Sequence, residues 1–88
     1  LKVSLVVHLY PLCFTMDNSA IAYPYEEPYI QFIRAIDARR LTPDVLDVLK
    51  DCIFYEGCVA VEINDLRGAV ECNYRVLLRP QFDIVVRE

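Results

Sequence analysis

The stretch FYEGCVAVEINDLR, residues 54–67, carries the most regular strand pattern in the chain and decides the fold. Side chains alternate between the two faces of a β-strand. One face of this stretch carries Val59, Val61 and Ile63, and the same face then ends in Asp65 and Arg67. A buried strand that ends in an acid and an arginine on its core face requires an explanation. The pair is a catalytic carboxylate with its partner, a clamp that faces another protein, or a structural brace.

The composition indicates a globular domain without a nucleic-acid-binding surface. The 88 residues are 56% hydrophobic and 25% charged, and the formal net charge is −4. Binding to phosphates requires clustered Lys and Arg, so no direct nucleic-acid partner is predicted. No apolar run approaches the roughly 20 residues that span a bilayer, so no membrane partner is predicted either. We expect one domain over residues 1–88, and, because the first residue is Leu1, a segment of a longer protein.

Outside residues 54–67, alternation and turn signals predict further strands. Residues 2–10 alternate and predict a strand that Pro11 ends, and the run Asp17-Asn18-Ser19 predicts the turn of a hairpin or a short excursion within residues 12–25. Residues 74–79 alternate again and predict a strand that ends before Pro80. Residues 81–88 are compatible with a last strand or with a short helix.

Two segments show helical spacing instead. In residues 26–40, Pro28 suits a first helical turn, and in residues 41–52 Thr42 and Pro43 form a typical helix start. The predicted buried residues of the first helix are Tyr29, Ile30, Phe32, Ile33 and Ile36. Those of the second helix are Val45, Leu46, Val48 and Leu49. Strands separated by two tandem helices predict an α+β fold, with a small, mostly antiparallel sheet and two consecutive helices packed on one face.

Residue types that carry catalysis or bind cofactors are sparse. The single histidine, His8, has no nucleophile motif around it, and the two glycines form no phosphate-binding loop. Four cysteines at irregular spacing, Cys13, Cys52, Cys58 and Cys72, are interpreted as thiols packed as small hydrophobic residues. We therefore predict no enzyme activity, no cofactor and no metal site.

Four segments, taken in order and spacing, resemble the suppressor-of-Ty-twenty family. They are YPYEE at residues 23–27, LTPDVLDVL at 41–49, FYEGCVAVEINDLR at 54–67 and YRVLLRP at 74–80, and HLYP at 8–11 matches the first strand of that family. The resemblance covers nearly the whole chain. Within it, six positions are predicted as family-motif residues and possible partner contacts: Tyr55, Gly57, Cys58, Glu62, Asp65 and Arg67.

The resemblance implies a non-catalytic scaffold. Members of this family are structural subunits of the SAGA transcriptional coactivator, a nuclear complex, and the domain resembles a SEP-type module. The implied partners are the histone-fold subunits of the SAGA core. The giant pseudokinase-like subunit that binds activators would be tethered through segments outside this chain. The alternative that the resemblance leaves open is a SEP-type adaptor of the ubiquitin-selective AAA ATPase pathway.

Overall fold

The computed structural model describes residues 2–49 and 52–80. Within them the chain forms a six-stranded sheet and two helices. In chain order these are β1 (Leu5–Leu9), β2 (Cys13–Met16), β3 (Ala22–Pro24), α1 (Ile30–Ala38), β4 (Arg40–Leu41), α2 (Pro43–Leu49), β5 (Val59–Asp65) and β6 (Cys72–Pro80). The strand order across the sheet is β3-β2-β1-β5-β6-β4.

The predicted fold class is wrong in the direction of the strands and in the order of the elements. The sheet is mixed, because β1 runs parallel to β5 and β4 runs parallel to β6. Parallel neighbours require a crossover connection, and residues 10–58 provide one between β1 and β5. The helices are not consecutive either, since the two residues of β4 pair with the end of β6 and separate α1 from α2.

The central strands supply the core as their alternation predicts. On β5, Val59, Val61 and Ile63 are fully buried. They lie in register with buried residues of both neighbours. Leu5 of β1 pairs with Val61, and Leu78 of β6 pairs with Val59. Because the helices add their apolar side chains to this same cluster, the face of β5 that leads to Asp65 is the core face.

The helices bury fewer residues than the sequence predicts. In α1, Phe32, Ile33 and Ile36 are buried as expected, whereas Tyr29 lies before the helix and is 41% exposed. In α2, Val45 and Leu49 are buried, but Leu46 is 44% exposed, so its predicted burial is wrong. The side chain of Val48 and residues 81–88 fall outside the described part of the structure.

The segment between β1 and α1 folds as two successive hairpins. β1 pairs with β2 and β2 with β3, both antiparallel. The predicted turn at Asp17-Asn18-Ser19 is confirmed: the Ser19 amide donates to the Met16 carbonyl at 3.2 Å. The Asp17 carboxylate also accepts a hydrogen bond from the Val6 amide at 3.1 Å, which ties this turn to β1.

The four cysteines, all within the described residues, form no disulfide. Cys72 is exposed, so its predicted packing in the core is wrong, and the other three are only half-buried, with Cys52 packed against the core. Across residues 2–49 and 52–80, no helix is long and apolar enough to span a bilayer.

Candidate partner-binding site at the ends of strand β5

The turn that precedes β5 explains the glycine of the family motif. Tyr55 and Cys58 exchange backbone hydrogen bonds in both directions, of 2.7 and 2.9 Å, and so form a two-residue hairpin turn. Both central residues have positive φ, 52° at Glu56 and 82° at Gly57. Left-handed conformations at both positions define a type I′ turn, in which glycine is favoured because it has no Cβ. This turn directly precedes Val59, the first residue of β5.

Replacing Gly57 with alanine is expected to lower the free energy of unfolding by about 1 kcal/mol, because an L side chain is strained at positive φ. A Cβ at this position would meet its nearest atom, Pro80 Cγ, at 3.5 Å, so the loss comes from backbone strain rather than from a clash. Gly68→Ala is the matched control, since Gly68 does not have positive φ and its nearest atom would be 4.0 Å away. Equal urea-unfolding midpoints for the two variants would contradict this account of the turn.

Glu62, in the middle of β5, points away from the core. It lies opposite Arg75 of β6, and a single contact of 3.5 Å joins its Oε1 to the Arg75 Nε. The arginine side chain is 66% exposed. An exposed pair with one long contact contributes little to stability, so Glu62 is best explained as a surface cross-strand partner.

Asp65 and Arg67 form a bidentate ion pair where β5 ends. The Arg67 guanidinium donates through Nε to Asp65 Oδ1 at 2.9 Å and through its terminal nitrogen to Oδ2 at 2.8 Å. The Arg67 amide also donates to Asp65 Oδ1 at 3.0 Å, so the carboxylate caps the turn in which the strand ends. The side chains are 21% exposed for Asp65 and 43% exposed for Arg67. The predicted ion pair is therefore present and half-shielded from solvent.

Two tyrosines that the sequence did not single out lie near this pair. Burial raises the pKa of Tyr25, an effect that the positive charge of Arg67 opposes. Burial also raises the pKa of Tyr74, and the negative charge of Asp65 raises it further. The Tyr25 hydroxyl donates to the carbonyl of Tyr10. The end of β5 thus presents an arginine among tyrosine side chains, a composition enriched in protein interfaces.

The hydrogen bonds from Arg67 lower the pKa of Asp65 from its usual 3.8 to about 2. A carboxylate with a depressed folded pKa contributes stability above its unfolded pKa and loses it as the pH falls toward the folded value. We therefore expect Asp65→Asn to be less stable than the parent chain at neutral pH. The difference should shrink between about pH 4 and about pH 2. Thermal unfolding of both chains across this range measures the effect, and a pH-independent difference would contradict it.

The structure distributes the six motif residues along one strand. Tyr55, Gly57 and Cys58 form one group in the turn before β5, and Asp65 and Arg67 form a second group at its end, with Glu62 between them. A seven-residue strand is about 20 Å long at about 3.3 Å per residue, so the two groups cannot form one catalytic centre. Among the described residues, no cluster of three or more metal-ligating side chains occurs. The Asp65–Arg67 end is the stronger candidate for contact with a partner, because Arg67 is 43% exposed there and lies near Tyr25 and Tyr74.

Comparison with known proteins identifies the family. Residues 1–82 match the family described as Spt20, SEP domain. The chain belongs to the Spt20 SEP-domain family. This match covers the turn before β5, the ion pair after it and both partner strands of β5, so the resemblance inferred from the motif segments is confirmed.

Relatives of this Spt20 SEP domain are longer proteins. The chain is 29% identical over 79 residues to the SAGA complex subunit Spt20 of Schizosaccharomyces pombe, which covers 88% of this chain and 17% of that protein. Its fold is similar to that of a chain in a cryo-EM structure of the transcription coactivator SAGA. That similarity has a TM-score of 0.72 and 23% identity, and it covers 91% of this chain and 39% of the other. The Spt20 SEP domain described here thus spans less than half the length of both proteins.

Proposed function

We propose that this SEP domain is a non-catalytic interaction module of a SAGA-type transcription coactivator and acts in the nucleus. The observation that carries the proposal is the family match over residues 1–82, together with a relative that is a SAGA complex subunit. The domain would help to hold the core of the complex together through its histone-fold subunits. Contact with the giant activator-binding subunit would come from parts of the protein outside this chain.

The contacts of the motif residues support a binding role over a catalytic one. Asp65 is engaged by Arg67 through three hydrogen bonds, and its low pKa keeps it ionised, which suits neither a general acid nor a general base near neutral pH. Gly57 serves the backbone of a turn. In contrast, the side chain of Arg67 is still 43% exposed in the ion pair, so a partner can contact it.

Affinity purification of the full-length protein tests this function. The tagged protein should recover the histone-fold and giant subunits of a SAGA-type complex. A version that lacks residues 1–82 should lose the histone-fold subunits and retain the giant subunit, because the latter is assigned to other segments. Recovery of an AAA ATPase in place of coactivator subunits would overturn the proposal in favour of the adaptor role. Unchanged recovery of the histone-fold subunits after the deletion would overturn the role given to this domain.

A further inference from the structure

Strand β6 has one edge that is paired only at its end. Its inner edge pairs with β5 along Cys72–Leu78, where all seven residues have a partner. On its outer edge, the described residues provide partners only for Arg79 and Pro80, through the two residues of β4. A strand with a long unpaired edge offers backbone donors and acceptors to another extended chain.

The register shows which backbone groups point outward. The Arg79 amide donates to the Arg39 carbonyl at 3.2 Å, so the backbone of Arg79 faces β4. Because backbone polar groups alternate in direction along a strand, those of Asn73, Arg75 and Leu77 face the same outer side. Within residues 2–49 and 52–80, no backbone hydrogen bond engages these three amides from that side.

Space for an added strand exists beside this edge. An open notch lies between the end of α1 and β6, and it is lined by Ile36, Asp37, Arg39, Tyr74 and Val76. Helix α1 ends at Ala38, and Arg39 then adopts the left-handed conformation that turns the chain into β4. Helix α1 therefore borders β6, and none of its described backbone groups forms a hydrogen bond to Asn73, Arg75 or Leu77.

Positive charge concentrates along the same edge on the face of the sheet opposite the buried Val76 and Leu78, whereas Asp37 of the notch lies on the face of Val76. Arg40 and Arg79 are direct partners in register, and their side chains are both exposed. Arg75 and Arg79 are four residues apart on β6 and therefore lie on the same face of the sheet. In the described part of the chain, neither Arg40 nor Arg79 takes part in an ion pair, and Arg75 makes only the long contact to Glu62. Like charges on neighbouring strands repel, and an anionic group between them would relieve that repulsion.

We propose that the outer edge of β6 binds an extended acidic segment of a partner protein by strand addition. The segment would pair with the backbone of Asn73, Arg75 and Leu77, and its carboxylates would contact Arg40, Arg75 and Arg79. Strand addition combines backbone hydrogen bonds for affinity with side-chain contacts for specificity. A second copy of this chain is a poorer occupant, because pairing of two β6 edges would bring their arginines together. This site is argued from the edge of β6 and its arginines alone, so it does not depend on the proposed coactivator role.

The probe is a short fluorescent peptide of alternating glutamate and valine with blocked ends, titrated into the full chain and followed by anisotropy. We expect saturable binding that Arg75→Glu and Arg79→Glu, each made alone, weaken by at least about tenfold. Arg34→Glu is the matched control, because Arg34 is an exposed arginine on α1 that pairs with Glu27 away from this edge. It should change the affinity by less than about twofold. A peptide with lysine in place of glutamate should not bind. If the Arg34 variant and the edge variants lost the same affinity, the effect would come from net charge alone, and the proposed site would be wrong.

Two further measurements test the backbone pairing without any variant of the protein. N-methylation of one alternating set of peptide amides should abolish binding, and methylation of the other set should not, because only one set faces β6. Hydrogen exchange of the full chain, resolved to single residues, should show fast exchange at Asn73, Arg75 and Leu77 and slowing there when the peptide binds. Slow exchange at these three amides in the free protein would mean that the edge is already occupied and would overturn the proposal. Binding unaffected by either methylation would do the same.

Discussion

Leu49→Ala is expected to lower the free energy of unfolding by about 3–4 kcal/mol, the largest loss of any variant considered for this domain. Leu49 is fully buried and lies in the single core that the helices share with β1, β5 and β6. Truncating a buried leucine removes its transfer free energy and leaves a cavity that the surrounding strands fill only in part.

Leu46→Ala is the matched control, since it makes the same chemical change one helical turn away. The Leu46 side chain is 44% exposed, so we expect a loss below about 1 kcal/mol. Urea unfolding of both variants measures the two losses directly. Equal losses would mean that α2 presents its other side to the core, with Leu46 buried as the sequence pattern suggested.

The contrast between these two leucines shows why the buried side of α2 could not be predicted. The segment offers the apolar pairs Val45-Leu46 and Val48-Leu49, which are compatible with more than one orientation of the helix. α2 has only seven residues, so the position of the helix against the sheet decides which residues are buried. That position depends on β4, whose two residues become a strand only through their pairing with β6.

Alternation predicted the buried face of β5 but not the direction of its neighbours. Val59, Val61 and Ile63 are buried in the structure because side-chain period is a local property of a strand. A parallel and an antiparallel neighbour produce the same alternation, so the pairing of β1 with β5 was not visible in the sequence. Strand direction depends on the route of residues 10–58 over the sheet, which is a property of the whole fold.

The ion pair was predicted from spacing, but the structure forms it in a different way. Two residues on the same face of one strand were expected to meet side by side. In the structure β5 ends at Asp65, and the Leu66 amide donates to the Leu9 carbonyl at 2.8 Å. Arg67 lies beyond the strand, in the turn that the Asp65 carboxylate caps. Tyr25 comes from a distant part of the chain, and Tyr74 is brought near the pair by the antiparallel pairing of β6 with β5, so local spacing did not indicate either.

Arg67→Ala is expected to lower the free energy of unfolding by about 1–2 kcal/mol, between the values typical of exposed and of buried ion pairs. The variant removes two charge-assisted hydrogen bonds from Asp65, which is only 21% exposed and would keep one bond from the backbone. A half-buried carboxylate without its counter-charge is poorly compensated. Thermal and urea unfolding of the variant measure this loss.

Arg75→Ala is the control, because Arg75 also pairs with an acid of β5 but makes one contact of 3.5 Å at 66% exposure. Its removal should cost less than about 0.5 kcal/mol.

The comparison of Arg67→Ala with Arg75→Ala also separates the two remaining explanations of the motif. If the Asp65–Arg67 pair is a brace, Arg67→Ala lowers the stability of the domain more than Arg75→Ala does. If it is a clamp for a partner, stability is unchanged and recovery of the histone-fold subunits falls. We expect the brace effect to dominate, because Arg67 donates all three hydrogen bonds that the Asp65 carboxylate accepts from the described residues. An unchanged melting temperature of Arg67→Ala would refute that expectation.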